Sequence, residues 1–209
     1  MGLTPISEGA GPAPVFAESG WLFVPDLIAP ALVPFFWSYV FVKFTSLLIT
    51  GGDLQVPHSP GAYGDPAFDG LLEYLRPKIE ALCGLALHPT YSYFRIYKRG
   101  DVLAPHTDRE ACEISVTLNI GQEPADPWPI YLQRDGCRQE FVLQPGEALL
   151  YRGCDWEHGR DVYPGDRLVQ VFLHYVDRNG PHAALKFDGR KSLMRSSAAS
   201  FTTNRRGGI

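Results

Sequence analysis

The chain has 209 residues, of which 45% are hydrophobic and 20% charged, and a formal net charge of −4. These values describe a soluble globular protein of a length that suits one domain. The acidic balance removes any global electrostatic case for nucleic acid, and Cys83, Cys112, Cys137 and Cys154 lie too far apart for a zinc knuckle or a redox pair.

Scattered thiols in a chain of this size point to a reducing compartment, and the first residues lack the basic-then-apolar layout of a secretory signal. A cytoplasmic location is therefore expected. Residues 1–14 are rich in Gly, Pro and Ala and read as a flexible lead-in. Residues 20–25 read as a short strand. Asp26 to Ser46 reads as helical, with Pro30 and Pro34 near its start. The apolar run Ala31–Thr50 is barely long enough to span a membrane and is interrupted by Pro34, Ser38, Lys43 and Ser46, so a buried helix or hairpin is expected and no membrane contact. Residues 51–64 read as a loop. Asp65-Pro66 resembles an N-cap followed by proline at the first helical position, and Gly84 a stop. Between them Phe68, Leu71, Leu72, Leu75, Ile79 and Leu82 recur at three- and four-residue steps, the stripe of a helix with one buried face. Pro77 is expected to kink or split it.

From Thr90 the rhythm changes to period two. Strands are expected at Tyr91–Lys98, Glu113–Ile120, Ile130–Arg134, Glu140–Leu143, Ala148–Tyr151 and Arg167–Val176, separated by turn residues such as Asp135-Gly136 and Pro164-Gly165-Asp166. Short strands at this spacing mean a sandwich or jelly roll. Tyr91, Tyr93, Arg95 and Tyr97 share one strand face. Ser115, Thr117 and Asn119 share another, which lines either a pocket or the solvent side. Residues 179–209 read as a basic tail or lid: from Asp177 onward there are seven Lys/Arg against two Asp.

The chemistry concentrates in His106-Thr107-Asp108 and His158. On an extended segment, positions two apart point to the same side. Two imidazoles and one carboxylate fill one face of an octahedral Fe(II) and leave three positions open. The motif His-x-Asp alone is common. It gains force from a second histidine some fifty residues on, a β-rich context, and Arg167 nine residues after His158. Arginine is always charged and forks onto a carboxylate, so Arg167 suits the distal carboxylate of an oxoacid bound to the metal. His58, His88, His174 and His182 fit no pattern and read as structural or surface groups, and Glu157 is expected to point away from the metal.

The stretches Tyr97–Gly100, Leu103–Asp108, Ser115–Asn119, Gly146–Tyr151, His158 and Gly165–Arg167 together resemble the iron(II)/2-oxoglutarate dioxygenase superfamily, in particular its prolyl-4-hydroxylase-like branch. The resemblance covers about Gly20 to Asp177. It implies a mostly β fold with flanking helices: a double-stranded β-helix (jelly roll, cupin-like) core over about 90–178 with N-terminal helices packed on it, inside a single domain of 15–178. It implies Fe(II) on His106, Asp108 and His158, and 2-oxoglutarate chelating that iron with its far carboxylate on Arg167. Tyr97 and Thr117 match positions that contact the co-substrate, and Tyr131 falls on the flanking strand. The implied reaction hydroxylates an unactivated C–H bond of an amino acid, peptidyl residue or small metabolite and releases succinate and carbon dioxide, with ascorbate as a candidate reductant and no catalytic residue beyond the metal ligands. Asp108 stands where the related halogenases carry a small residue, which favours hydroxylation. Trp128-Pro129 replaces the branch's usual Gly-Gly, so its substrates do not transfer. Arg95 and Tyr93 share a face with Tyr97 and are candidate substrate contacts, Arg95 for a carboxylate. A cupin-like metalloenzyme that uses no oxoacid and a silent binding sandwich remain as alternatives; Arg167 argues against the first and the intact triad against the second.

Overall fold

A computed structural model describes residues 11–49, 51–124 and 127–193. Helix α1 (Pro12–Ser19) leads into strand β1 (Trp21–Val24), a 3-10 turn at Pro30–Leu32 and helix α2 (Val33–Thr45). The short strand β2 (Gly61–Tyr63) precedes helix α3 (Pro66–Cys83). The β region follows as β3 (Leu87–Lys98), β4 (Leu103–His106), β5 (Ile114–Glu123), β6 (Ile130–Arg134), β7 (Cys137–Phe141), β8 (Ala148–Arg152), β9 (Glu157–Arg160) and β10 (Arg167–Asp177). A 3-10 segment, Ala183–Gly189, ends the described chain.

Two antiparallel sheets result, one ordered β1-β8-β5-β10-β3-β2 and the other β4-β9-β6-β7. This is the double-stranded β-helix with helices packed outside the larger sheet. The main core lies between that sheet and the helices. Phe94 and Ile96 of β3, Ile114, Val116 and Leu118 of β5, and Val169, Val171, Leu173 and Tyr175 of β10 meet Phe36, Phe68, Leu72 and Ile79 there. The opposite faces of the same strands turn inward between the sheets. Ser115, Thr117 and Asn119 are buried on that inner side, so the polar face of β5 lines the interior and does not face solvent.

Helix α3 begins where Asp65 accepts from the Ala67 N–H at 3.0 Å and ends at Gly84, whose φ of 73° is easy for glycine. It runs unsplit through Pro77. The hydrogen bond that proline cannot donate is the one to the Glu73 carbonyl, and both residues are exposed, so water can take the acceptor. Asp65 also anchors α2, accepting from Tyr39 Oη at 2.9 Å and from Lys43. The helix expected over Asp26–Ser46 starts later: Asp26 has positive φ, and Pro30 opens only a 3-10 turn. Strand β7 starts earlier than expected because Asp135 and Gly136, both with positive φ, make a tight hairpin that pairs Arg134 with Cys137.

The last residues of the expected lead-in belong to α1; residues 1–10 lie outside the described part. The first half of the basic tail is folded against the body. Arg109 Nη1 and Nη2 donate to Asp188 at 2.7 and 2.9 Å, and Tyr63 Oη donates to the same carboxylate at 2.5 Å. Residues 194–209, with Arg195, Arg205 and Arg206, lie outside the described part. Among the described residues no helix is long and apolar enough to cross a membrane.

Candidate metal centre

Strands β4 and β9 are four residues each and carry no alternating apolar pattern. Their antiparallel pairing sets His106 directly across from His158. Asp108 follows β4, and its backbone N–H donates to the Gly153 carbonyl at 2.9 Å, which ties it to the end of β8. A Cβ at Gly153 would overlap the Asp108 carboxylate and the Cys112 carbonyl, so only glycine permits this approach.

The side-chain donors of His106, Asp108 and His158 all lie within 4.8 Å of one another. Asp108 Oδ1 is 3.9 Å from His106 Nε2 and 3.7 Å from His158 Nε2, and the two rings stand 4.3 Å apart. Each ring's other nitrogen is engaged: His106 Nδ1 with the Ala104 carbonyl at 2.8 Å and His158 Nδ1 with the Trp156 carbonyl at 3.0 Å. A carbonyl only accepts, so both Nδ1 atoms carry the proton and both Nε2 lone pairs face the centre. Burial holds His158 below its ordinary pKa despite Asp108, which favours the neutral, ligating form. His158 Nε2 is also 3.2 Å from Tyr151 Oη, whose phenol is pushed well up by burial and stays protonated.

The carboxylate is oriented in turn. Ser115 Oγ lies 2.8 Å from Asp108 Oδ2, 2.9 Å from the Cys112 carbonyl and 2.9 Å from His174 Nδ1. A hydroxyl has one proton and here gives it to an oxygen, so His174 is the donor in its pair. His174 is buried, and burial lowers its pKa to about 4, so it is neutral at pH 7. This histidine lines the cavity, against the expectation of a structural or surface group. It shares a face with Phe172 on β10.

The triad opens onto a cavity of about 170 Å³. Arg95 and Tyr93 line it, as do Asp53 and Gln55 from the loop before β2, and Arg109, Tyr63, Tyr91, Leu103, Ile130 and Tyr151. Arg95 is 2% exposed. It is paired with Asp53, donates to Tyr97 Oη at 3.1 Å and lies over the rings of Tyr93, Tyr97 and Phe172. Burial raises the Asp53 carboxyl, but Arg95, the Val56 N–H and Tyr93 together more than offset it and the net shift is downward.

Tyr97 and Thr117 lie deeper inside, both fully buried, with Thr117 Oγ1 accepting from Gln170 Nε2 at 2.6 Å. Arg167 and Tyr131 are not brought to the cavity. Arg167 sits opposite Lys98 on the helix-facing side of β10, is exposed, and lies over the Phe41 ring at 5.5 Å. The inward positions of β10 are Leu168, Gln170, Phe172 and His174, so Arg167 is one residue out of phase with the role expected of it. Tyr131 is on the outer face of β6 under the Arg138 guanidinium, while its neighbours Ile130 and Leu132 point inward. A different arginine is buried in the interior: Arg160, which burial holds down to about 10, still charged at neutral pH. Its position two residues after His158 on an inward face was the available signal in the sequence, but β9 has too little pattern to be read as a strand.

No protein-family model and no curated protein sequence matches the chain. Solved structures do. A prolyl-4-hydroxylase from Pseudomonas putida aligns with a TM-score of 0.64 at 16% identity, covering 80% of this chain and 97% of that one. A prolyl hydroxylase from Trichoplax adhaerens, solved with a hypoxia inducible factor peptide fragment, gives 0.64 at 14% identity over 83% and 90%. HygX from Streptomyces hygroscopicus, solved with nickel and 2-oxoglutarate, gives 0.58 at 16% identity over 79% and 85%. The chain thus shares, over most of its length, the double-stranded β-helix fold of the 2-oxoglutarate–Fe(II) oxygenases.

Proposed function

We propose that this protein is an Fe(II)- and 2-oxoglutarate-dependent oxygenase that hydroxylates an unactivated C–H bond. The observation that carries the proposal is the convergence of His106 Nε2, His158 Nε2 and Asp108 Oδ1, with both Nδ1 atoms occupied by backbone carbonyls. That donor set, two neutral imidazoles and a carboxylate on one side, suits Fe(II) with open positions. The related folds solved with 2-oxoglutarate and a metal add support.

Iron and 2-oxoglutarate, when bound, would supply the oxidising power, with succinate and carbon dioxide as the co-product. The chain's own residues hold and shield. The histidines and Asp108 would hold the metal, and Ser115 with His174 fixes the carboxylate. Tyr91, Tyr93, Tyr151 and Phe172 wall the cavity and limit water. No side chain is needed as general base. Tyr97 and Thr117 are retained as co-substrate contacts; Arg167 and Tyr131, which lie off the cavity, are given no role. Arg95 with Tyr93 would seat a negatively charged group of a small-molecule or peptidyl substrate, a place Asp53 now takes.

Anaerobic titration with Fe(II) and then 2-oxoglutarate tests this. A weak charge-transfer band in the green region is expected for the wild type and not for His106→Ala. Equal metal binding by both proteins, without a band, would sink the proposal.

A further inference from the structure

Three arginines lie near the triad in space, and two of them are neutralised. Arg95 is paired with Asp53 and Arg109 with Asp188. Arg160 is 3% exposed and has no ion pair among the described residues. Its guanidinium donates to the Trp128 carbonyl at 2.5 Å and to Gln170 Oε1 at 3.2 Å, and lies 4.7 Å from the Trp128 ring. A buried charge with only neutral partners is destabilised relative to a paired one. These neutral acceptors take hydrogens from it but do not offset the charge. That combination is the state of an anion seat without its anion.

The surroundings fit a carboxylate of particular reach. Arg160 and His158 are next-but-one neighbours on β9, so both face the interior, about 6.6 Å apart along the strand. A five-carbon 2-oxo diacid whose keto-acid end meets the triad's metal extends over that order of distance. Gln170 and Thr117 are locked to each other and to Arg160, which adds polar groups at the same end. Leu103, whose Cα pairs with Arg160 across β4 and β9, lines the cavity with Ile130, while Arg160 itself lies behind that wall. A carboxylate at Arg160 would take the place of the Trp128 carbonyl.

We propose that Arg160, entering from β9, takes the distal carboxylate of 2-oxoglutarate in this protein, in place of an arginine at the start of β10. This rests on the oxygenase reading above.

The test uses the full-length protein loaded anaerobically with Fe(II) and two oxoacids, 2-oxoglutarate and 2-oxopentanoate, which share the keto-acid end but differ in the distal carboxylate. Affinities are read from the charge-transfer band or by calorimetry. The wild type should prefer 2-oxoglutarate on the order of 100-fold, the value of a charge-assisted bidentate contact. Arg160→Gln should reduce that preference to within a few fold while leaving 2-oxopentanoate and metal binding intact. Arg160→Lys should restore part of it, and Arg167→Ala should keep all of it. If Arg160→Gln does not fold, Gln170→Glu sets a fixed carboxylate against Arg160 and should weaken 2-oxoglutarate alone. An unchanged preference in Arg160→Gln or Gln170→Glu, or its loss in Arg167→Ala or in Arg95→Gln, overturns the assignment. A wild type that binds both oxoacids equally overturns the seat but leaves the oxygenase reading standing, and one that binds neither overturns both.

Discussion

At the scale of single residues, the candidate centre depends on groups that never touch the metal. Ser115 links Asp108 to His174 and also reaches the Cys112 carbonyl, which fixes its hydroxyl beside the carboxylate. Removing such an orienting partner lowers metal affinity by roughly 10–100-fold in known sites. Ser115→Ala is expected to do the same here while the protein stays folded, as measured by Fe(II) or Mn(II) titration against circular dichroism. Gly153 is more demanding. A methyl there collides with the Asp108 carboxylate and with the fixed Cys112 carbonyl. Gly153→Ala should therefore abolish high-affinity metal binding; wild-type affinity would show that the Asp108 position is not what the triad needs.

At the scale of elements, α2 and α3 are held to one another through one buried carboxylate. Asp65 caps α3 and receives Tyr39 and Lys43 from α2. Asp65→Ala removes a cap and leaves Lys43 without its partner, and should cost about 3 kcal/mol. Asp65→Asn keeps the cap and should cost less; equal losses in urea unfolding would assign the whole effect to the ion pair. The elements also show what the sequence could announce. Strands β3, β5 and β10 are long and alternate cleanly, so they were legible. The hairpin of β6 and β7 was legible through Asp135-Gly136, though one strand was placed late. Strands β4 and β9 were not, because Leu-Ala-Pro-His and Glu-His-Gly-Arg carry no period and are strands only by pairing, β4 with β9 and β9 with both β4 and β6. The metal ligands were recognisable as a motif even so, since His-x-Asp needs only local geometry.

At the scale of the whole molecule, the segments flanking the barrel reach back over the cavity. The loop before β2 supplies Asp53, and the segment after β10 supplies Asp188. Burial pushes the Asp188 carboxyl up, but Arg109, Tyr63 and Arg190 together more than offset it, so its folded pKa lies below the ordinary 3.8. A depressed carboxylate contributes stability that is present above its unfolded pKa and is lost as pH falls through the folded value. Asp188→Asn should therefore destabilise the protein by about 1–2 kcal/mol at neutral pH, and its deficit against wild type should shrink below about pH 4. A deficit independent of pH would contradict the ion-pair account.

The sequence by itself determined the jelly-roll rhythm, the helix with its Asp65 cap and Gly84 stop, and the three candidate ligands, because each is written in neighbouring residues: a period, a cap, a two-residue step. Only the tertiary structure decided which arginine faces the interior. A strand turns alternate residues to opposite faces, so a shift of one position sends a side chain out instead of in. Arg167 lies seven residues before the inward His174 and so faces the helices, whereas Arg160 lies two after the inward His158 and is buried between the sheets. The alternation is local, but which of the two faces turns inward is set by pairing with β3 and β4, far away in the chain.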